Sequence, residues 1–137
     1  MTAETNLQKI LQTLNPELSP ETYVFCQVDE EAGGALAAKS LGLFREKEGV
    51  TLILPQEVAV ENDLRFDFVF RKITLRVHSS LAAVGLLAEI SRVLAEAEIA
   101  VNVVSGFNHD HLFVFERDGV QALESLRELS RRAKNRN

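Results

Sequence analysis

The chain has 137 residues, of which 46% are hydrophobic and 26% charged, with 8 Phe, no Trp and one cysteine. This is the composition of a folded chain, one compact domain or two very small ones, and it argues against disorder. A formal net charge of −5 argues against nucleic acid as the main partner, the lone Cys26 excludes an internal disulfide, and no apolar run approaches the roughly 20 residues that span a bilayer.

The opening stretch, MTAETNLQKI, lacks the basic and apolar regions of a secretory leader, so a reducing cytoplasm is the expected location and a membrane is not an expected partner. Leu7, Ile10, Leu11 and Leu14 recur at helical spacing, with Thr5 as a cap and Asn15-Pro16 as a stop. Glu21 to Val28 reads as a strand, with Val24, Cys26 and Val28 on one face and Tyr23 and Phe25 on the other. Gly33-Gly34 form a flexible lead into a short helix over Ala35 to Leu41. LFREKEGVTLIL predicts a hairpin turning near Lys47-Glu48-Gly49, and Pro55 opens a short helix, QEVAVEND. Phe66, Phe68 and Phe70 alternate, as do Ile73, Leu75 and Val77, but the phase slips at Lys72. The slip marks a bulge or a strand boundary. It places the division near Arg71, giving halves of 1–70 and 71–137.

In the second half a helix is expected over Leu81 to Ala97, with Leu87, Ile90 and Leu94 in its apolar stripe. The strands IAVNVVS and HLFVFE follow, separated by the turn GFNHD. A last helix runs from Asp118 to Ala133 with Val120, Leu123, Leu126 and Leu129 inward, and Asp118 and Gln121 stand at capping-box spacing. The second half thus reads β-α-β-β-α, and the first, from Glu21, β-α-β-β-α-β. Both orders predict α+β ferredoxin-like (βαββαβ) sandwiches with antiparallel sheets and helices on one face. The second half lacks a final strand, which Glu21 to Val28 is placed to supply.

The loop after ITLRV carries the chemistry. Its residues are His78, Ser79, Ser80 and Leu81, followed by Val84, Gly85 and Leu86 at the helix start. The first N–H groups of a helix lack internal partners, and the dipole there favours an anion. Ser79 or Ser80 is placed to cap, and Gly85 lets a carboxylate approach the backbone. An ordinary capped helix with a glycine at a crowded helix–sheet contact fits the same residues. Asn102 interrupts an apolar strand, either as a ligand contact or as an amide tying down a loop, and Ser105 and Gly106 end that strand.

His109, Asp110 and His111 place two imidazoles on one strand face, and with His78 they make a three-histidine metal site conceivable; turn geometry is the simpler reading, and no metal is expected. There is no P-loop, no dinucleotide fingerprint and no Gly-x-Ser-x-Gly elbow, and Cys26 lies within a strand, so no catalytic residue and no cofactor is expected.

From Leu75 to Val114 the chain resembles an ACT domain, on Gly85-Leu86-Leu87 at the helix start, Asn102 in the following strand and the strand HLFVF. FREKEGVTLILP, VHSSLAAVGL and NVVSGFNHDH extend the resemblance to small stand-alone bacterial proteins with an ACT-like first half and an aspartokinase-type second half. Val84 stands where the commonest ACT loop has proline, and serines stand where it often has aspartate. The resemblance implies a non-catalytic regulatory protein that binds a free amino acid where ACT units meet, and a homodimer or higher homo-oligomer. It implies a ligand set of His78, Ser79, Ser80, Leu81, Val84, Gly85, Leu86, Asn102, Val103, Ser105 and Gly106. An interaction module without a small ligand is the alternative.

Overall fold

The computed structural model describes residues 3–136. Its elements are α1 (Leu7–Gln12), β1 (Pro16–Val28), α2 (Glu30–Leu36), β2 (Gly42–Glu46), β3 (Gly49–Pro55), α3 (Gln56–Glu61), β4 (Phe70–Leu75), α4 (Leu86–Glu96), β5 (Val101–Ser105), β6 (Asp110–Phe115) and α5 (Gly119–Lys134). The chain forms two compact units, Pro20–Phe70 and the remainder on either side of it.

In Pro20–Phe70 the strands stand in the order β2-β3-β1, with antiparallel pairing that sets Cys26 opposite Leu52 and Val24 opposite Leu54. These four pack with Leu36 of α2 and Ala59 of α3. Fully burying one of the valine or leucine side chains among them contributes roughly 1.5–3 kcal/mol. The hairpin turns at Lys47-Glu48, and Pro55 caps α3, close to expectation.

The glycine pair does not lead into a helix; it lies inside one. Asp29 accepts the Ala32 N–H at 2.8 Å and starts α2 at Glu30, upstream of the expected Ala35. Gly33 then faces Val50 so closely that a Cβ would lie 3.1 Å from its Cγ1. Phe66 and Phe68 form no strand, since β4 begins only at Phe70. Phe66 folds over the core instead, while Phe70 meets Phe25 edge-on at 5.2 Å between ring centroids.

In the other unit the order is β4-β6-β5, with the start of β1 beside β4. That segment is Pro16–Ser19, upstream of the expected Glu21. Arg76 N–H donates to Asn15 O, and Arg71 Nε donates to Ser19 O. Three helices cover one face and bury Ile10, Leu14, Ile90, Leu94, Leu126 and their neighbours with Leu112 and Val114 of β6.

The N-terminal helix, assigned above to the first half, therefore belongs to the core of the second. Its stripe of Ile10, Leu11 and Leu14 needs apolar partners, and the core it joins is that of α4 and α5. Gln8 and Gln12 fasten it by donating to Ala133 O, and Ser130 Oγ donates to Gln12 O. Asn6, not Thr5, caps it.

Two further helix readings change. In α4, which begins at Leu86 and not at Leu81, the buried stripe is Leu86, Ile90 and Leu94, with Leu87 exposed. A 3-10 turn over Glu116–Asp118 precedes α5, and Asp118 makes no side-chain capping bond. The phase that follows turns Val120 to solvent and Ala122, Leu126 and Leu129 inward.

Candidate functional site

β4 ends at Leu75, and a ten-residue connection, 76–85, leads to α4. Gly85 closes it as the N-cap, with φ at +98°. That left-handed backbone costs an L-residue roughly 1–2 kcal/mol and explains a glycine at this position. Leu7 adds a second reason, since a Cβ on Gly85 would sit 3.1 Å from Leu7 Cδ2. Neither expected serine caps α4. Ser80 Oγ accepts the Ala82 N–H at 3.0 Å and shapes its own turn. Ser79, buried, donates from Oγ to Asp110 Oδ2 at 3.2 Å.

These residues enclose a cavity of about 220 Å³ lined by Ser79, Ser80, Leu81, Ala83, Gly85, Leu86, Leu87, Ala88, Ser105, Gly106 and Asp110. It is smaller than the roughly 300–1,000 Å³ of drug-sized ligand sites. Leu86, Leu87 and Ala88 open α4, so their N–H groups precede any acceptor within the helix. The helix dipole adds partial positive charge at the same place. The one ionisable residue in the lining is Asp110. Anion-favouring amides and a carboxylate therefore border one small space.

Of the residues implied as ligand contacts, Ser79, Ser80, Leu81, Gly85, Leu86, Ser105 and Gly106 meet at this cavity, and His78, Val84, Asn102 and Val103 do not line it. Val84 is 84% exposed. Strand alternation separates Asn102 from Val103: Val103 packs toward the helix-covered core, while Asn102 is exposed on β5 opposite Phe113. Asp110, weighed above only for metal or turn geometry, is the main omission. It shares the two-residue period of Leu112 and Val114, which points it to the helix-covered face. An acidic residue in phase with a core stripe was the available signal.

The histidines fall elsewhere. His78 and His109 have ring centroids 6.5 Å apart, and His111 Nδ1 pairs with Thr74 Oγ1 at 3.0 Å. Burial, with Lys72 and His109 next, pushes the His111 imidazole below its ordinary value. Among the described residues no group of three or more metal-ligating side chains is arranged to hold an ion. Cys26 is buried, and burial pushes its thiol up, away from a reactive thiolate.

A larger, more open depression of about 610 Å³ lies in Pro20–Phe70 between Glu21, Tyr23, Glu57 and Glu61. Its charges are all of one sign, and α3, whose first residues Gln56 and Glu57 also line it, is only six residues long. Among the described residues no helix is long and apolar enough to cross a membrane.

Family models described as ACT domain match residues 2–71 and residues 69–128. A Vibrio cholerae protein of unknown function, described as a possible transport protein, is 42% identical, with 90% of this chain and 95% of that one covered and a TM-score of 0.81. An Agrobacterium tumefaciens protein superposes with a TM-score of 0.66 at 18% identity, covering 84% of this chain and 87% of that one. The ligand-free regulatory subunit of aspartate kinase from Thermus thermophilus superposes with a TM-score of 0.64 at 8% identity, covering 85% and 97%. At those identities the last two show a shared fold. No curated protein matches the chain.

Proposed function

This chain belongs to the ACT-domain family, and from that premise we propose that it is a non-catalytic regulatory protein that binds a free amino acid in the cavity between the 76–85 connection and the start of β6. The observation that carries the reading is the meeting of the α4 N-terminal amides with the buried Asp110. An amino acid is a zwitterion. Its carboxylate suits the amides of Leu86 to Ala88, and its ammonium suits Asp110. Ser80 and Ser105 supply hydroxyls for a polar side chain. With no cationic residue in the lining and Asp110 taken by the ammonium, a charged side chain of either sign has no partner, so neutral amino acids fit best.

Exposed Leu81 and Leu87 belong to the lining, and exposed Val84, Val104 and Phe107 adjoin lining residues in sequence. β5 stands at the end of its strand order. An apolar rim beside an open strand edge is a surface that a second copy would cover, and this supports a homo-oligomer assembled over the site. The same rim favours the second reading, an interaction module with no small ligand.

A thermal-shift screen of untagged protein against the twenty amino acids, with calorimetry on each hit, separates the two. A ligand at 100 times its dissociation constant stabilises the folded state by about 2.7 kcal/mol, a shift of several degrees in a chain of this size. A selective hit that is lost in Asp110→Asn supports the sensor. No shift at millimolar concentration of any amino acid removes it and leaves the interaction module.

A further inference from the structure

The segment ahead of α1 runs along the cavity loop. Glu4 N–H donates to His78 O at 2.9 Å, and Ser80 N–H donates to Glu4 O at 2.8 Å. The two bonds form a parallel bridge between Glu4 and Ser79. At the other end of the connection, Leu7 lies against Gly85. One short stretch thus touches both ends of the loop that shapes the cavity.

Arg76 N–H, at the start of the loop, donates to Asn15 O, and the remaining backbone bonds of the loop are local. Ser79 N–H donates to Val77 O, Ala83 N–H to Ser80 O and Ala82 N–H to Ser80 Oγ. The segment, by contrast, is anchored. It leads directly into α1, whose Ile10, Leu11 and Leu14 are buried in the core. The loop is therefore bonded to a segment continuous with a buried helix.

We propose that residues 3–7 act as a strap of the site. The bridge at Glu4 holds Ser79 where its hydroxyl reaches Asp110, and Leu7 holds the Gly85 turn from which the α4 amides project. Glu4 and Leu7 are positioning residues. They order the loop, and through it they set the affinity of the cavity. The affinity consequence rests on the amino-acid reading above; the ordering does not.

The test uses the full chain with Glu4→Pro, which deletes the N–H donated to His78, and separately Leu7→Ala. Amide exchange by NMR reads the strap without any ligand. Ser80 N–H should exchange roughly five- to tenfold faster in Glu4→Pro, while Ile90 and Leu94 of α4 keep their protection. Calorimetry with the amino acid that most shifts wild-type melting should show at least fivefold weaker binding in both variants, with core protection unchanged. Unchanged exchange at Ser80 in Glu4→Pro overturns the strap. Accelerated exchange with unchanged affinity overturns its role in binding. Should Glu4→Pro lose protection throughout, Leu7→Ala decides, and full affinity in that variant overturns the proposal. If none of the twenty amino acids shifts the wild type, the sensor reading falls, and Ser80 exchange still decides whether the strap exists.

Discussion

Ser79 Oγ donates to Asp110 Oδ2 at 3.2 Å, tying the loop before α4 to the first residue of β6. Both residues are buried, each 8% exposed. A carboxylate so placed needs its hydrogen bond, and on the proposed reading its second oxygen takes the ligand ammonium. Asp110→Ala strands the Ser79 hydroxyl and should cost about 1–3 kcal/mol in denaturant unfolding. Asp110→Asn keeps the shape and a hydrogen-bond acceptor but not the charge. It should cost less stability yet weaken amino-acid binding roughly 10- to 100-fold by calorimetry, the worth of one charged hydrogen bond. Equal affinity in wild type and Asp110→Asn would remove Asp110 from the recognition scheme.

Gly85 combines a left-handed φ of +98° with a close neighbour, Leu7 Cδ2 at 3.1 Å from a built Cβ. Gly85→Ala should destabilise by more than the roughly 1–2 kcal/mol of the backbone alone. Leu7→Ala in the same chain should recover the steric part but not the backbone part. A double-mutant cycle measures the coupling between the two, and strict additivity would refute their contact.

Partial burial, with Lys72, His109 and Arg76 nearby and Asp110 opposing them, holds the His111 imidazole below its ordinary value. The folded chain therefore holds this proton less tightly than the unfolded chain. The associated stability is complete above the unfolded value of 6.5 and is lost as pH falls through the lowered folded value. Unfolding free energy should decline from pH 7 toward pH 5, and His111→Gln should flatten that slope. An equally steep decline in the variant would assign it to other groups.

Gly33 and Gly34 are neighbours in α2 with opposite surroundings. A Cβ at Gly34 meets nothing within 4 Å, whereas at Gly33 it lies 3.1–3.3 Å from three Val50 atoms. Gly34→Ala should raise stability by about 0.5–1 kcal/mol, the helix-propensity gain. Gly33→Ala should lose that gain to the Val50 clash, leaving its midpoint in urea below that of Gly34→Ala. The reverse order would place Gly33 outside the core.

What the sequence determined by itself was short-range. Two-residue and 3.6-residue periods located the hairpin of β2 and β3, the pair β5 and β6, and the helices that follow, and Gly85-Leu86-Leu87 marked the family. Each of those signals is carried by residues adjacent in the chain. The tertiary structure decided which apolar stripe meets which. Ile10, Leu11 and Leu14 say only that α1 needs cover, and the cover stands more than a hundred residues away at Ala133 and its neighbours. It also decided the composition of the cavity. Asn102 interrupts apolar residues, and its strand turns it to solvent, outside the lining of the cavity. Asp110 looked like a turn residue, yet its parity with Leu112 and Val114 buries it against Ser79. Propensity and periodicity orient a side chain within its own element. Only the burial shared between distant elements settles what that side chain faces.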